Sequence, residues 1–372
     1  MKAVINALQY KKNSSGIGVM IRDLFGPYTA ITHKKCQVLV THDAPDFMCS
    51  DSTNVLRIPW NYEQALRRIW FQSVQLGRRY GKNAVLLVTD SKLPFFLPRS
   101  CVAVPLITDL AVYRMPEVYK ASRVILWKLQ YRYIKRRANF FLAISQFTKN
   151  EIAELLHVVP DKVHVVPCAC SSEMVRVVDK DRLQKVRDKY TLPDDFVLFV
   201  GNFNPRKNLR RLIEAFELAK MHCGIRHQLV IAGEQGWKFD KEQVLSGLSH
   251  PEDVRFIGFV PDEDMPALYS EASLFAFPTL YEGFGIPVIE AQSCGIPVLT
   301  SNCSALPEVG GDGALYVDPY DIEEIKDGIV KILQDSELSQ SLIEKGLENA
   351  RRFSWKKSAE TLNEIIEKEV GP

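Results

Sequence analysis

The sequence of 372 residues lacks any uninterrupted apolar run near the roughly 18 residues that a membrane-spanning helix needs. It also lacks a Cys-x-x-Cys pair. Its eight cysteines, Cys36, Cys49, Cys101, Cys168, Cys170, Cys223, Cys294 and Cys303, follow no regular framework, so they read as free or buried thiols of a reducing compartment. The seven histidines show no His-x3-His spacing and no pairing with cysteine, which removes the usual zinc signatures. There is no Gly-x-Ser-x-Gly elbow and no phosphate loop ending in Gly-Lys-Ser or Gly-Lys-Thr. No repeat and no low-complexity tract is present. The opening MKAVINALQYKK has no apolar core followed by a cleavage site and reads as a first strand, not a signal peptide.

What is present is an ordinary globular composition, 46% apolar and 25% charged, long enough for two domains of about 100 to 200 residues. The net charge of +2 hides an asymmetry. Residues 1–190 hold 30 Lys and Arg against 15 Asp and Glu, and the remainder hold 17 against 30. A basic half and an acidic half imply different partners, the basic one facing something anionic.

Short β-branched runs alternate with helical stretches. They are Ala3–Ala7, Gln37–Val40, Ala84–Val88, Val102–Ile107, Phe140–Ile144 and Val163–Val166 in the first half. In the second they are Phe196–Val200, Gln228–Ala232, Val254–Ile257, Ser273–Phe277, Pro297–Thr300 and Ala314–Val317. Continuous apolar strands between helices imply parallel sheets covered on both faces, hence two doubly wound α/β domains. The polar stretch between Cys168 and Pro193 is the expected join, and ligands are expected at the carboxyl ends of the strands, in a cleft. Ser336–Val370 is helical in pattern, with Ser354 placed as an N-cap.

Three clusters stand where strands end. In Ser15-Gly16-Ile17-Gly18, ahead of a helix expected near Val19, Gly16 and Gly18 allow close backbone approach, and helix amides favour an anion. Tight packing alone also produces such a turn, and no third glycine completes a dinucleotide fingerprint. In Gly201-Asn202-Phe203-Asn204-Pro205-Arg206-Lys207, two cations precede the amphipathic helix starting at Leu209, a place that suits them only if an anion joins them. In Pro278–Ala291, Pro287 fits a first helical position, Glu282 falls in the loop and Glu290 in the first helical turn. Carboxylates there suit vicinal hydroxyls. Asp262-Glu263-Asp264 mimics a metal motif but reads as caps for a helix starting at Met265, and no metal is expected.

Taken together, GNFNPRKNL, LVIAGEQGWK, the long segment VRFIGFVPDEDMPALYSEASLFAFPTLYEGFGIPVIEAQSCGIPVLTSNCSALPEVGGDGALYVDP and the early SGIG resemble glycosyltransferase family 4. The resemblance implies a GT-B fold, two Rossmann-like doubly wound parallel-sheet domains facing a cleft: residues 1–175 on the acceptor side, 190–353 on the nucleotide-sugar side, and a C-terminal helix 354–372 packing back towards the first domain. It implies sugar transfer with retention. Lys207 and Arg206 would neutralise the departing diphosphate. Glu282 opens the family's Glu-x7-Glu pair and would contact donor-sugar hydroxyls; Glu290 closes it and would hold the ribose. Amides around Gly283, Phe284, Gly285 and Ile286 would bind sugar and phosphate, and Gly16, beside Gly18, would close over the diphosphate. No cofactor and no metal is implied.

Two donor-contact positions depart from the pattern. Thr108-Asp109-Leu110 stands where many members have His-Asp-Leu, and Thr108 can hydrogen-bond but not titrate near neutrality. Asn202 stands where many have Arg or Thr. The expected activity is that of a hexosyltransferase in bacterial-type surface polysaccharide assembly, such as lipopolysaccharide O-antigen or capsule, with GDP-mannose favoured over UDP- or dTDP-sugars. The acceptor would be a glycan or a polyprenyl-diphosphate-linked saccharide. Alternatives are an epimerase or phosphorylase on the same fold, and a non-catalytic nucleotide-sugar-binding partner.

The expected location is cytoplasmic, peripheral at the inner face of the cytoplasmic membrane, with an anionic membrane surface as a further partner. In Ala121–Ala138, Trp127, Tyr131 and Ile134 form one stripe, as in an interfacial helix or in an ordinary helix packed on its domain. The pairs Arg67-Arg68, Arg78-Arg79 and Arg136-Arg137 accompany no recognition module, so no nucleic acid is expected.

Overall fold

A computed structural model describes residues 1–371 apart from 12–15, 33–34, 48–54, 90–91, 235 and 237–238. Ser15, Cys49, Gln235, Trp237 and Lys238 therefore lie outside the described residues. The chain divides into two compact units, Met1–Ala169 together with Ser354–Pro372, and Cys170–Phe353.

The first unit is built on seven parallel strands: β1 Lys2–Asn6, β2 Cys36–Val40, β3 Val55–Arg57, β4 Ala84–Val88, β5 Val102–Ile107, β6 Phe141–Ala143 and β7 Val163–Val165. Their order is β3-β2-β1-β4-β5-β6-β7. The second has six: β8 Phe196–Val200, β9 Gln228–Ala232, β10 Val254–Gly258, β11 Leu274–Phe277, β12 Val298–Ser301 and β13 Leu315–Val317, ordered β10-β9-β8-β11-β12-β13. Every pair is parallel. Strands such as β4 and β11 are apolar throughout because both faces are covered, and each is wholly buried. In each sheet the winding reverses beside its first strand, between β1 and β4 and between β8 and β11. Open parallel sheets take ligands at this switch, beyond the strand carboxyl ends.

Twelve strands coincide with apolar runs of the sequence. The thirteenth, β3, has three residues on the sheet edge, none of them buried, so no hydrophobic pattern announces it. Within the expected join, the helix Lys180–Tyr190 belongs to the second unit. Val186 enters its core, Arg187 pairs with Glu271, and Lys189 pairs with Asp264 at 2.6 Å. The last helix, Trp355–Val370, belongs to the first unit and packs on the helix Ile17–Ile31, burying Leu362 and Ile366.

Both expected caps stand at their N-cap positions, but neither side chain makes a capping bond. Ser354 occupies the N-cap position, but its hydroxyl makes no capping bond, and its carbonyl accepts from Ser358 Oγ at 3.1 Å. Asp264 precedes the helix Met265–Glu271, yet its carboxylate accepts from Lys189 Nζ and, at 2.7 Å, from Tyr190 OH. A charged donor holds an acid more strongly than a free helix amide does.

Candidate active site

In the second unit two loops meet at the switch between β8 and β11. The first leaves β8 through Gly201, whose N–H donates to Ala232 O at 2.9 Å, and turns at Asn204, whose side chain accepts from the Arg206 N–H. A one-turn 3-10 helix, Pro205–Lys207, follows. The close approach to the neighbouring loop demands glycine at 233, where φ is +138° and a Cβ would lie 2.1 Å from Gly201 O.

Asn208 ties this loop to two others. It is buried in the left-handed region at φ 58°, and its amide donates to Pro278 O at 2.9 Å and Pro319 O at 2.6 Å. The Leu280 N–H donates to Arg206 O at 2.9 Å, closing the seam between the loops. Asn208→Ala would strip two buried carbonyls of this donor and keep a strained backbone, at an expected cost of about 2 to 3 kcal/mol. Urea denaturation reads this directly. A shift below about 0.5 kcal/mol, the range of an ordinary surface substitution, would contradict the strapping role.

The seam places Lys207 Nζ 2.8 Å from Glu282 Oε1, with side chains only 13% and 10% exposed. The ammonium also lies 4.7 Å from the centre of the Phe277 ring. Burial alone would raise the Glu282 carboxyl; the charges of Lys207 and then Arg206, with the Lys207 hydrogen bond, outweigh it and hold the group below the ordinary range. The Glu282 N–H donates to Ser304 Oγ at 3.1 Å, and Ser301 Oγ donates to Thr279 O at 2.6 Å, so both ends of the loop are fixed.

Beyond Glu282 come Gly283, the buried ring of Phe284, packed edge-on against Phe353 at 5.5 Å, and Gly285. Gly285 has φ +108°, and a Cβ there would stand 2.6 Å from Leu306 Cδ2. It opens the helix Ile286–Ser293, whose first turn carries no acidic residue and no side-chain cap. The N–H groups of such a turn are an anion-binding feature.

Glu290 is the fifth residue of that helix, so it stands in the second turn and not the first, because the helix starts at Ile286 with Pro287 second. Tyr269 OH donates to its Oε2 at 2.9 Å. Burial, with the like charge of Asp262 adding to it and the Tyr269 bond and Lys207 opposing, pushes its carboxyl up to about 7. Asn202 is exposed at the start of the first loop, its carbonyl accepting from Asn204 Nδ2 at 3.2 Å.

The remaining candidates belong to the first unit. Gly16 is exposed at the N-cap of the helix Ile17–Ile31, two residues earlier than the expected start, with φ +57° and open space around a would-be Cβ. Its backbone, not crowding, calls for glycine. Gly18 is buried in the first turn. Thr108 and Asp109 follow β5, both half-buried, and Asp109 Oδ1 accepts from the Ala111 N–H at 3.0 Å.

Sequence reasoning missed Asn208, Ser304, Tyr269 and Phe277. The residue after Lys207 carried a turn signal, since asparagine tolerates the left-handed region better than other side chains. The other three carried none.

A family model described as glycosyl transferases group 1 matches residues 182–349, which span the β8 loop, the β11 loop and the helix bearing Glu290. The chain is 35% identical over 273 residues to the O-antigen chain mannosyltransferase B of Escherichia coli, covering 72% of this chain and 71% of that protein. It is 36% identical over 233 residues to the serotype-specific mannosyltransferase WbdA of Escherichia coli, covering 60% of this chain and 28% of that longer protein. Sucrose-phosphate synthase from Thermosynechococcus elongatus shares the GT-B fold with a TM-score of 0.76 at 17% identity, over 99% of this chain and 98% of that one. Identity of that depth, sustained over seven tenths of a complete relative, decides membership: the chain belongs to the group 1 glycosyl transferases, and it is a transferase.

Proposed function

We propose that this chain moves a mannosyl residue from a nucleotide sugar, GDP-mannose first among the candidates, to a glycan or lipid-linked saccharide during surface polysaccharide assembly, with retention of configuration. The observation that carries the reading is the Lys207–Glu282 pair, 2.8 Å apart at the carboxyl edge between β8 and β11. A donor diphosphate entering there draws Lys207 and Arg206 to its oxygens and leaves Glu282 to accept from a sugar hydroxyl. The bond from the anomeric carbon to the diphosphate then breaks with its electron pair on phosphate oxygen, and an acceptor hydroxyl forms the new bond on the same face while its proton passes to that departing oxygen. Preorganised charge at the leaving group is the largest single contribution in reactions of this kind.

Amides of the turn opening at Gly285 face the same need for an anion, and Glu290, held by Tyr269, is assigned to the ribose diol. The mannosyl assignment follows the two Escherichia coli relatives, both mannosyltransferases by name. The donor is tested by offering GDP-mannose, UDP-glucose and dTDP-rhamnose to the purified chain with a mannose-terminated acceptor. Product from GDP-mannose alone is the expected result, and product from either of the others in preference to it contradicts the donor assignment.

A further inference from the structure

The first unit carries an outward apolar row of which its core uses only Tyr133. In the helix Ala121–Arg137, Tyr131 and Ile134 are buried, with Val124 and Trp127 packed beside them. Of the two readings the stripe allowed, interfacial or packed on its domain, the packed one holds, and the stripe is the inward face. On the opposite side Ile125, Leu126 and Leu129 are each more than half exposed. Helical spacing stacks Ile125, Leu129 and Tyr133 in one line. The line runs off the helix, because the Phe95 ring stands 5.6 Å from that of Tyr133, and Phe95 and its neighbour Phe96 are 61% and 48% exposed.

The two phenyl rings are not on a loose tip. Tyr133 OH donates to Pro94 O at 2.6 Å, Arg137 Nη2 to Leu97 O at 3.2 Å, and the Phe95 N–H to Ser73 O at 2.8 Å. Gly77 lies under the loop so closely that a Cβ would stand 2.1 Å from Phe96 O. The fold thus holds apolar groups in water at fixed positions.

The charge around them has one sign. Residues 65–80 and 121–137 contain ten Lys and Arg and no Asp or Glu. The Arg78 guanidinium lies 4.0 Å over the Phe96 ring, a shallow hollow opens among Phe95, Phe96, Arg78 and Arg137, and Arg132 and Arg136 are exposed on the outward side of the helix. The unit as a whole holds 27 Lys and Arg against 15 Asp and Glu.

We propose that this face docks on an anionic phospholipid bilayer, Phe95, Phe96, Ile125, Leu126 and Leu129 entering the interfacial layer while Arg78, Arg132 and Arg136 meet lipid phosphates. An apolar row on segments that carry cations and no acids is the pattern of surfaces that lie in that layer. A nucleic acid would leave the row unburied, and the absence of acids gives a typical protein surface of mixed charge little to pair with. No helix among the described residues is long and apolar enough to cross the membrane, so the contact is peripheral. The inference does not depend on which sugar is transferred.

The test is sedimentation of the full chain with vesicles of phosphatidylcholine alone and of phosphatidylcholine mixed with phosphatidylglycerol. Binding is expected to the mixed vesicles only, and to weaken as salt shortens the screening length from about 30 Å at 0.01 M to about 8 Å at 0.15 M. The double substitutions Phe95→Ser with Phe96→Ser and Arg132→Glu with Arg136→Glu should each weaken it about tenfold or more. Both should leave the thermal midpoint and transfer to a water-soluble acceptor unchanged, which separates lost docking from lost fold. Equal binding to both vesicle types, no binding to either, or variants that bind as the parent does would overturn the proposal.

Discussion

Replacing Lys207 by alanine is expected to slow sugar transfer by about 10² to 10³-fold and to destabilise the second unit at the same time. The first effect follows from removing a preorganised cation at the leaving diphosphate. The second follows from Glu282, which is buried with Lys207 as its 2.8 Å partner. An acid in that place stays ionised only because opposite charge outweighs burial. In the parent, the folded carboxyl lies below its unfolded value, so its contribution to stability is present above the unfolded value and is lost as pH falls through the folded one.

In Lys207→Ala, with only Arg206 and the Thr279 hydroxyl left to oppose burial, the folded carboxyl should rise above the unfolded value. The slope then reverses, and acidification through the weakly acid range should stabilise the variant relative to the parent. Urea denaturation of both proteins across pH 4 to 8, with transfer measured beside it, checks the pair of effects. Slow transfer with an unchanged pH dependence of stability would mean that Lys207 does not hold Glu282 in the folded protein.

The second large effect belongs to Glu290. Its folded carboxyl stands at about 7 against 4.5 for the ordinary group. Below the unfolded value both states are protonated and nothing changes. As pH rises from there to about 7 the unfolded chain ionises first, so stability is expected to fall, by on the order of 3 kcal/mol once pH exceeds the folded value. Glu290→Gln removes the titration and should match the parent near pH 4 while exceeding it in stability near pH 8.

Ligand binding should run the other way. A diol donates two hydrogen bonds most favourably to an ionised carboxylate, so affinity for a nucleoside diphosphate should increase more steeply through about pH 7 in the parent than in the Gln variant, where only the ligand's own terminal phosphate titrates. Parallel pH profiles for the two proteins, in melting and in titration with GDP, would remove Glu290 from the ribose.

The alternation of buried strands and helices was legible because parallel sheets covered on both faces need continuous apolar runs, and twelve strands follow them. The edge strand β3 has no such need and left no signal. Loop positions at strand ends were legible for the same reason, which located Arg206, Lys207 and Glu282. The contact between Lys207 and Glu282 was not, because 75 residues separate them and it depends on Asn208 strapping three loops through a left-handed backbone.

Helical period locates apolar faces without saying which one is inward. The helix Ala121–Arg137 has two, and the one visible as Trp127, Tyr131 and Ile134 proved to be the buried one. The positions of Ser354 and Asp264 beside their helices were legible, whereas the bonding of the Asp264 carboxylate was decided by the distant Lys189 and Tyr190.

Whether the Lys207–Glu282 pair serves retaining transfer from a nucleotide sugar is read from proton NMR of GDP-mannose and a mannose-terminated acceptor incubated with the parent and with folded Lys207→Ala. An α-linked product from the α-configured donor is expected, formed at least about a hundredfold more slowly by the variant. A β-linked product, or a folded variant that turns over as fast as the parent, would contradict that role.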